Sequence, residues 1–192
     1  GIPCGAVLGL TRFPGRRLLV ALVYTGMGFP PVVVGLAVYL ALSRSGPLGH
    51  LEWLFTPAAM VMAQSIIAFP LVAGLTMASL ESLDLNLRLQ IRSLGANRVQ
   101  EVGTLLAEAR LGVIASIIAG FGGIISEIGA AMLVGGNIEG QTRVLSTAIV
   151  LETRKGDFSL ALALGGLLLA LAFAVNVALM RLQRRAFGWV SR

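Results

Sequence analysis

Apolar residues gather in four long stretches, residues 18–42, 57–80, 111–134 and 160–180, and none of the four contains Lys or Arg. A bilayer core is crossed by roughly 20 apolar residues in a helix, so each stretch predicts one complete transmembrane span. Residues 1–10 are apolar too, but too few to cross. They predict the end of a truncated first span with its upstream half missing, since no basic leader or small-residue cleavage pattern marks a signal peptide instead. The expected fold is all-α, a polytopic transmembrane helical protein with four complete spans plus the end of a truncated first span, in a single domain over residues 1–192.

Polar residues concentrate between the second and third spans, in residues 81–110. Leu83, Leu85, Leu87, Leu89 and Ile91 alternate there with polar residues, the period of a strand. A solitary strand between two membrane helices would leave both edges unpaired. Helical winding instead places Leu83, Leu87, Ile91 and Leu94 on one stripe. The reading is a short helix ending near Gly95, where glycine supplies a left-handed turn. A second helix, capped by Asn97, then runs over residues 99–106.

Composition excludes a water-soluble domain. The chain is 56% hydrophobic and only 12% charged, with a mean hydropathy of +0.87, well outside the range of soluble proteins. Charge then orients the spans, because Lys and Arg collect in cytoplasmic loops. Arg12, Arg16, Arg17, Arg88, Arg92, Arg98, Arg110, Arg181, Arg184, Arg185 and Arg192 share one face. The other face holds Arg44, Arg143, Arg154 and Lys155, balanced by Glu52, Glu139, Glu152 and Asp157. Eleven against four makes the first face cytoplasmic and explains the net charge of +6 as a topology signal. These basic residues are spread over three loops without interleaved aromatics, so they do not point to nucleic acid. Phe13 and Trp189 on one side, and Trp53 and Phe55 on the other, suit the aromatic belts of a bilayer.

Several chemistries are excluded. Cys4 is the only cysteine and His50 the only histidine, so neither an intrachain disulfide, a thiolate metal cluster nor an H-E-x-x-H zinc site can form. The one lysine, Lys155, does not follow the glycine-rich pattern that cradles phosphates. No catalytic or metal-binding set is expected in this chain, and any ATP-driven step needs a separate ATPase.

Gly95, within Arg92-Ser93-Leu94-Gly95-Ala96-Asn97-Arg98, carries a resemblance. The polar segment resembles the cytoplasmic loop of ABC importer permeases, whose pattern is Glu-Ala-Ala, three residues, Gly, then an apolar run into the next span. The Glu-Ala-Ala positions are here Leu89-Gln90-Ile91, and the proline that often opens the next span is replaced near Ala107. Further matching stretches are Gly28-Phe29-Pro30-Pro31-Val32-Val33-Val34-Gly35-Leu36, Ser126-Glu127-Ile128-Gly129-Ala130-Ala131-Met132-Leu133-Val134-Gly135-Gly136-Asn137-Ile138 and Thr142-Arg143-Val144-Leu145-Ser146-Thr147-Ala148-Ile149. With Leu151-Glu152-Thr153-Arg154-Lys155-Gly156-Asp157-Phe158 added, the chain is most similar to the oxyanion branch, tungstate permeases first and molybdate permeases next.

That resemblance implies an ATP-dependent importer of a tetrahedral oxyanion, most closely tungstate, working by alternating access in a prokaryotic inner membrane. Molybdate or sulfate import, or a stand-alone anion channel or secondary transporter, are the alternatives. The implied partners are a second copy of the permease, two ABC ATPase subunits that bind ATP and Mg, an extracytoplasmic oxyanion-binding protein and membrane lipid; no cofactor is implied in this chain. Residues 81–110 become the cytoplasmic coupling loop, with Leu87, Ile91, Arg92, Leu94, Gly95, Ala96, Asn97 and Arg98 meeting the ATPase, while residues 135–158 form an outward-facing loop and the C-terminus is cytoplasmic.

Candidate path residues follow from helix breaks and buried polarity. Pro30 and Pro31 interrupt the first complete span, and proline suits the first position of a new helix. A half-helix from there would aim free amides at an anion; a simple proline kink is the plainer reading. Glu127 is the one acid well inside a span, continuing a stripe of Ser116, Gly120, Gly123 and Ala130. A carboxylate repels an oxyanion, so a buried hydrogen bond or helix latch is its expected role, with a gating proton acceptor as alternative. Gly135, Gly136, Asn137, Thr142 and Arg143 offer flexible backbone, an amide, a hydroxyl and a guanidinium, either oxyanion contacts or a plain turn with a solvated charge.

Overall fold

The computed structural model describes residues 1–187, with side chains through Arg181. Trp189 and Arg192, and the side chains of Arg184 and Arg185, lie outside the described residues. The elements are α1 (Ile2–Leu10), α2 (Arg16–Met27), α3 (Pro31–Leu42), a 3₁₀ turn (Gly49–Leu51), α4 (Pro57–Glu81), α5 (Leu85–Ser93), α6 (Arg98–Glu108), α7 (Arg110–Ile125), α8 (Gly129–Gly135), α9 (Leu145–Lys155) and α10 (Phe158–Phe187). Among the described residues there is no strand.

Two of the four expected crossings are single helices. Pro57–Glu81 and Phe158–Arg181 are each long and apolar enough to span a membrane. Only 6% of the apolar window of α10 is buried within the chain, which leaves its surface for lipid or another helix. Counting α2 with α3 and α6 with α7 as broken spans raises the total to four.

The other two expected crossings are interrupted. Residues 18–42 divide because α2 ends at Met27, Pro30 takes extended angles (φ −60°, ψ 122°) and Pro31 opens α3. Each proline lacks an N–H and pushes the residue before it out of the helical region, so the tandem pair ends one helix and starts another. That overturns the simple kink. Residues 111–134 also divide: α7 stops at Ile125 and α8 begins at Gly129. Glu127 therefore stands beyond the end of α7, and the expected stripe reaches only Ser116 and Gly120, which are buried, while Gly123 is exposed.

The described residues form two compact units: Gly1–Gly28, Phe69–Gly120 and the end of α10 from Leu179 to Phe187 make the first, and Phe29–Ala68 with Phe121–Ala178 the second. In the first, Leu8, Val23, Ala73 and Met77 join α1, α2 and α4, while Ala6, Leu10, Leu80, Ile91, Leu105 and Ala109 bring α1 and α4 against the α5–α6 pair. The hydroxyls of Thr76 and Ser116, both fully buried, satisfy each other at 3.1 Å. In the second unit Val34, Val38 and Leu42 of α3 pack with Ala59, Met60 and Ala63 of α4 and with Ala130, Ala131 and Val134 of α8. Backbones touch at Gly35, where an added Cβ would lie 2.6 Å from Ala130 Cα.

Candidate functional site

The polar segment of the first unit folds as a helix, a tight turn and a helix. Asp84 caps α5 by accepting from Asn86 N at 2.9 Å, which turns the alternating leucines into a helix. At its other end Gly95 takes φ +80°. Gly95 N donates to Arg92 O (3.0 Å) and Ala96 N to Ile91 O (3.4 Å), the paired bonds of a Schellman turn. Asn97 then starts α6 with a capping box: its Oδ1 accepts from Gln100 N, and Gln100 Oε1 accepts from Asn97 N, both at 2.9 Å. Each step satisfies backbone groups that helix ends leave free.

Which leucines face outward differs from the expected stripe. Leu83, Leu87 and Ile91 pack inward with Ala96, Val102 and Leu105. Leu94 parts company with them, 87% exposed, because the turn begins there and ends the helical phase. The free apolar surface of the hairpin is Leu85, Leu89, Leu94 and Val99. Arg92, Gly95, Asn97 and Arg98 are exposed with it, while Ala96 is half-buried.

Beneath the turn lies an acid that holds the two helices together. Glu101 is only 5% exposed. Its Oε1 accepts from Arg88 Nε at 2.5 Å and its Oε2 from Arg92 Nε at 3.0 Å. Arg88 also donates through Nη2 to Leu10 O at 2.6 Å, tying α5 to the end of α1. Glu101 lies in the polar segment outside the spans, and its carboxyl is held below its ordinary value of 4.5: the Arg92 hydrogen bond lowers it most, burial opposes, and Arg88 lowers it further. Arg16 makes a similar tie, to Leu8 O and to Glu81.

In the second unit the path candidates fall at two places. Pro31 opens α3 beside α8, since Val32 lies against Gly129. Glu127 Oε1 accepts from Ala130 N at 2.9 Å, so the half-buried acid caps α8. At the far end of α8, Gly136 (φ +71°) and Asn137 (φ +52°) turn the chain. Thr142 is buried and holds that turn, donating to Gly135 O at 2.5 Å and accepting from Ile138 N at 2.9 Å. The buried Oδ1 of Asn137 and Nε of Arg143 have no hydrogen-bond partner among the described residues.

Arg143 opens on a cavity. It lines a half-open space of about 630 Å³ with Gln64, Ser146, Ile124 and Leu168, and the first turn of α9 forms part of the wall. Its Nη1 contacts the exposed Glu139 at 3.2 Å. A cation, an amide and a hydroxyl thus converge beside helix amides that lack intrahelical acceptors, a setting suited to an anion.

Comparison with known proteins decides the family. The family of binding-protein-dependent transport system inner membrane components matches residues 1–188. The chain belongs to this family. A probable anion ABC transporter permease protein of Haloferax volcanii is 40% identical over 193 residues, covering 98% of this chain and 83% of the relative. The tungstate uptake system permease protein TupB of Peptoclostridium acidaminophilum is 39% identical over 182 residues, 95% of this chain and 80% of the relative. The molybdenum transport system permease protein ModB of Escherichia coli is 30% identical over 176 residues, 82% of this chain and 77% of the relative. For a member of such a family an inner-membrane setting agrees with the helices able to cross a bilayer.

Sequence pattern alone does not single out Glu101, Arg88, Gln64 or Ser146. A signal for Glu101 does exist: it continues the buried stripe of Leu105 and Ala109 at four-residue spacing, and an acid on an apolar stripe demands a partner. Arg88 and Arg92, also four apart, supply it. Gln64 and Ser146 become visible only when α4 and α9 are brought to one cavity.

Proposed function

We propose that the chain is the membrane-spanning subunit of an ATP-driven importer that moves a tetrahedral oxyanion, tungstate first, into the cell by alternating access. The observation that carries this reading is the Gly95 hairpin: an exposed apolar tip set between two capped helices and fixed from below by Glu101. Such a tip is a contact surface waiting for a partner, and a rigid hairpin passes a push on its tip into the helices behind it. The engine is a separate pair of ABC ATPase subunits holding ATP and Mg. A second copy of this chain completes the pathway, and an extracytoplasmic binding protein delivers the anion.

Four crossings, over residues 18–42, 57–80, 111–134 and 160–180, put the arginine-rich loops and the C-terminus in the cytoplasm. Residues 135–158 then face outward, with Arg143 and its cavity at the receiving side. Tungstate is favoured over molybdate because similarity to the tungstate permease is the higher, 39% against 30%.

The test is reconstitution of the chain with its ATPase and binding protein, followed by ATP hydrolysis with tungstate, molybdate or sulfate. The reading expects the ATPase to co-purify and tungstate to stimulate hydrolysis most. A chain that conducts anions with no ATPase bound overturns it in favour of a channel.

A further inference from the structure

The first unit contains a basic cavity at the base of the hairpin, to which the transport reading assigns no ligand, although two of its arginines, Arg92 and Arg98, are also expected to meet the ATPase. At the end of α1 a half-open space of about 420 Å³ is lined by Arg12, Arg88, Arg92 and Arg98 around Glu101, with Thr11 at its edge. Both carboxylate oxygens of Glu101 are engaged by Arg88 and Arg92, so the acid holds these two guanidiniums in place instead of neutralising the group. Arg12 and Arg98 make no hydrogen bond or ion pair among the described residues, and both are exposed at the rim.

Four guanidiniums against one carboxylate leave a strong positive excess in a small volume, and like charges so placed repel. Two of the four are fixed by a buried partner and the other two are free to turn, which is the arrangement a multi-point anion site needs: preset donors behind and adaptable donors in front. Planar guanidinium forks fit the oxygens of a tetrahedral oxyanion in pairs. The cavity also sits on the arginine-rich face, where anionic headgroups of the cytoplasmic leaflet are at hand.

We propose that this arginine cavity binds a tetrahedral oxyanion group, either the phosphate of an anionic lipid headgroup or a free oxyanion from the cytosol. Occupancy bridges α1, α5 and α6 and stiffens the base of the hairpin. This site stands apart from the path candidates of the second unit and needs none of them.

The test uses the full chain in mild non-ionic detergent at low ionic strength. Thermal unfolding and equilibrium binding are followed with inorganic phosphate, tungstate, short-chain phosphatidylglycerol and, as a zwitterionic control, short-chain phosphatidylcholine. Stabilisation by phosphatidylglycerol alone identifies a lipid headgroup; stabilisation by either inorganic anion identifies a free oxyanion. In both cases Arg12→Gln and Arg98→Gln should each weaken binding about tenfold, the effect of one charge-assisted contact. Arg17→Gln removes the same charge from the same face outside the cavity and should leave binding unchanged. The proposal fails if no anionic probe stabilises the chain, if both rim variants bind as the parent does, or if Arg17→Gln weakens binding equally.

Discussion

Replacing Glu101 tests whether the coupling hairpin is held from below. Its carboxylate is 6% exposed, and each oxygen takes one guanidinium N–H. A charge-assisted bond to a buried group contributes about 1.5–3 kcal/mol. The two arginines do not contribute alike: Arg92 is 54% exposed and Arg88 30%. Water therefore screens the Arg92 half to the surface range of at most about 1 kcal/mol; although Arg92 lowers the carboxyl most, the better-buried Arg88 contributes the larger share of the stability. Glu101→Ala should cost about 2–3 kcal/mol and Glu101→Gln, which keeps one acceptor, about 1–2 kcal/mol. Unfolding of the detergent-solubilised chain reads the loss, and a protease aimed at the Gly95 turn shows where it falls.

The same substitution carries a pH signature. The folded carboxyl sits below its ordinary value of 4.5, so its stabilisation is complete above that value and is lost as pH falls through the lowered folded pKa. The parent should lead Glu101→Gln near neutrality, and the gap should close in acid below about 4.5. Equal unfolding midpoints near neutrality, or a gap that stays constant into acid, would show that the clamp does not hold the hairpin.

Three other outcomes are expected. Gly95 adopts φ +80° with nothing within 4 Å of an added Cβ, so Gly95→Val acts through the backbone alone, at about 1–2 kcal/mol; it should insert normally yet uncouple hydrolysis from uptake, whereas Gly95→Asn should remain coupled, and coupled uptake in the Val variant would show the turn is not the lever. Gly35→Leu forces a Cβ to 2.6 Å from Ala130 Cα, which should cost about 1–3 kcal/mol and reduce recovery of folded chain; an unchanged midpoint would mean α3 and α8 can separate freely. Arg143→Gln removes the cation from the α9 cavity while breaking only a contact to an exposed acid, so uptake should fall about tenfold with stability within about 0.5 kcal/mol of the parent; full uptake would remove Arg143 from the path.

Local chemistry made the α5–α6 hairpin legible in the sequence. Asp84, Gly95 and Asn97 each act on neighbours a few residues away, and such short-range bonds are written in residue order. The outward face was harder to read, since continuing one helical phase through Leu94 ignores that the turn begins there. The break at residues 126–128 carries a weaker signal: Ser126 and Glu127 interrupt the apolar run, but with no proline there they also fit one continuous span holding a buried acid, and only the packing of α8 on α3 separates the two helices. Arg143 was visible as a residue type, but its cavity depends on α4, α9 and α10 meeting, which no local pattern encodes.

The position of Glu127 discriminates between the two candidate anion contacts of the second unit. Both α3 and α8 begin near Val32 and Gly129, and a broken helix offers unpaired amides at such a point. One of those amides, Ala130 N, is already taken by the Glu127 carboxylate, and the proline at the start of α3 has no N–H to offer. An oxyanion arriving there would meet a negative group and a reduced set of donors. At the other end of α8 the balance is reversed: among the described residues Arg143 lines the cavity with an unpartnered Nε, and the acid in that lining, Glu139, is largely in solvent. The helix break at Pro30 and Pro31 thus shapes the packing of α3 on α8, and of the two places it is Arg143 with the first turn of α9 that offers an oxyanion the better set of donors.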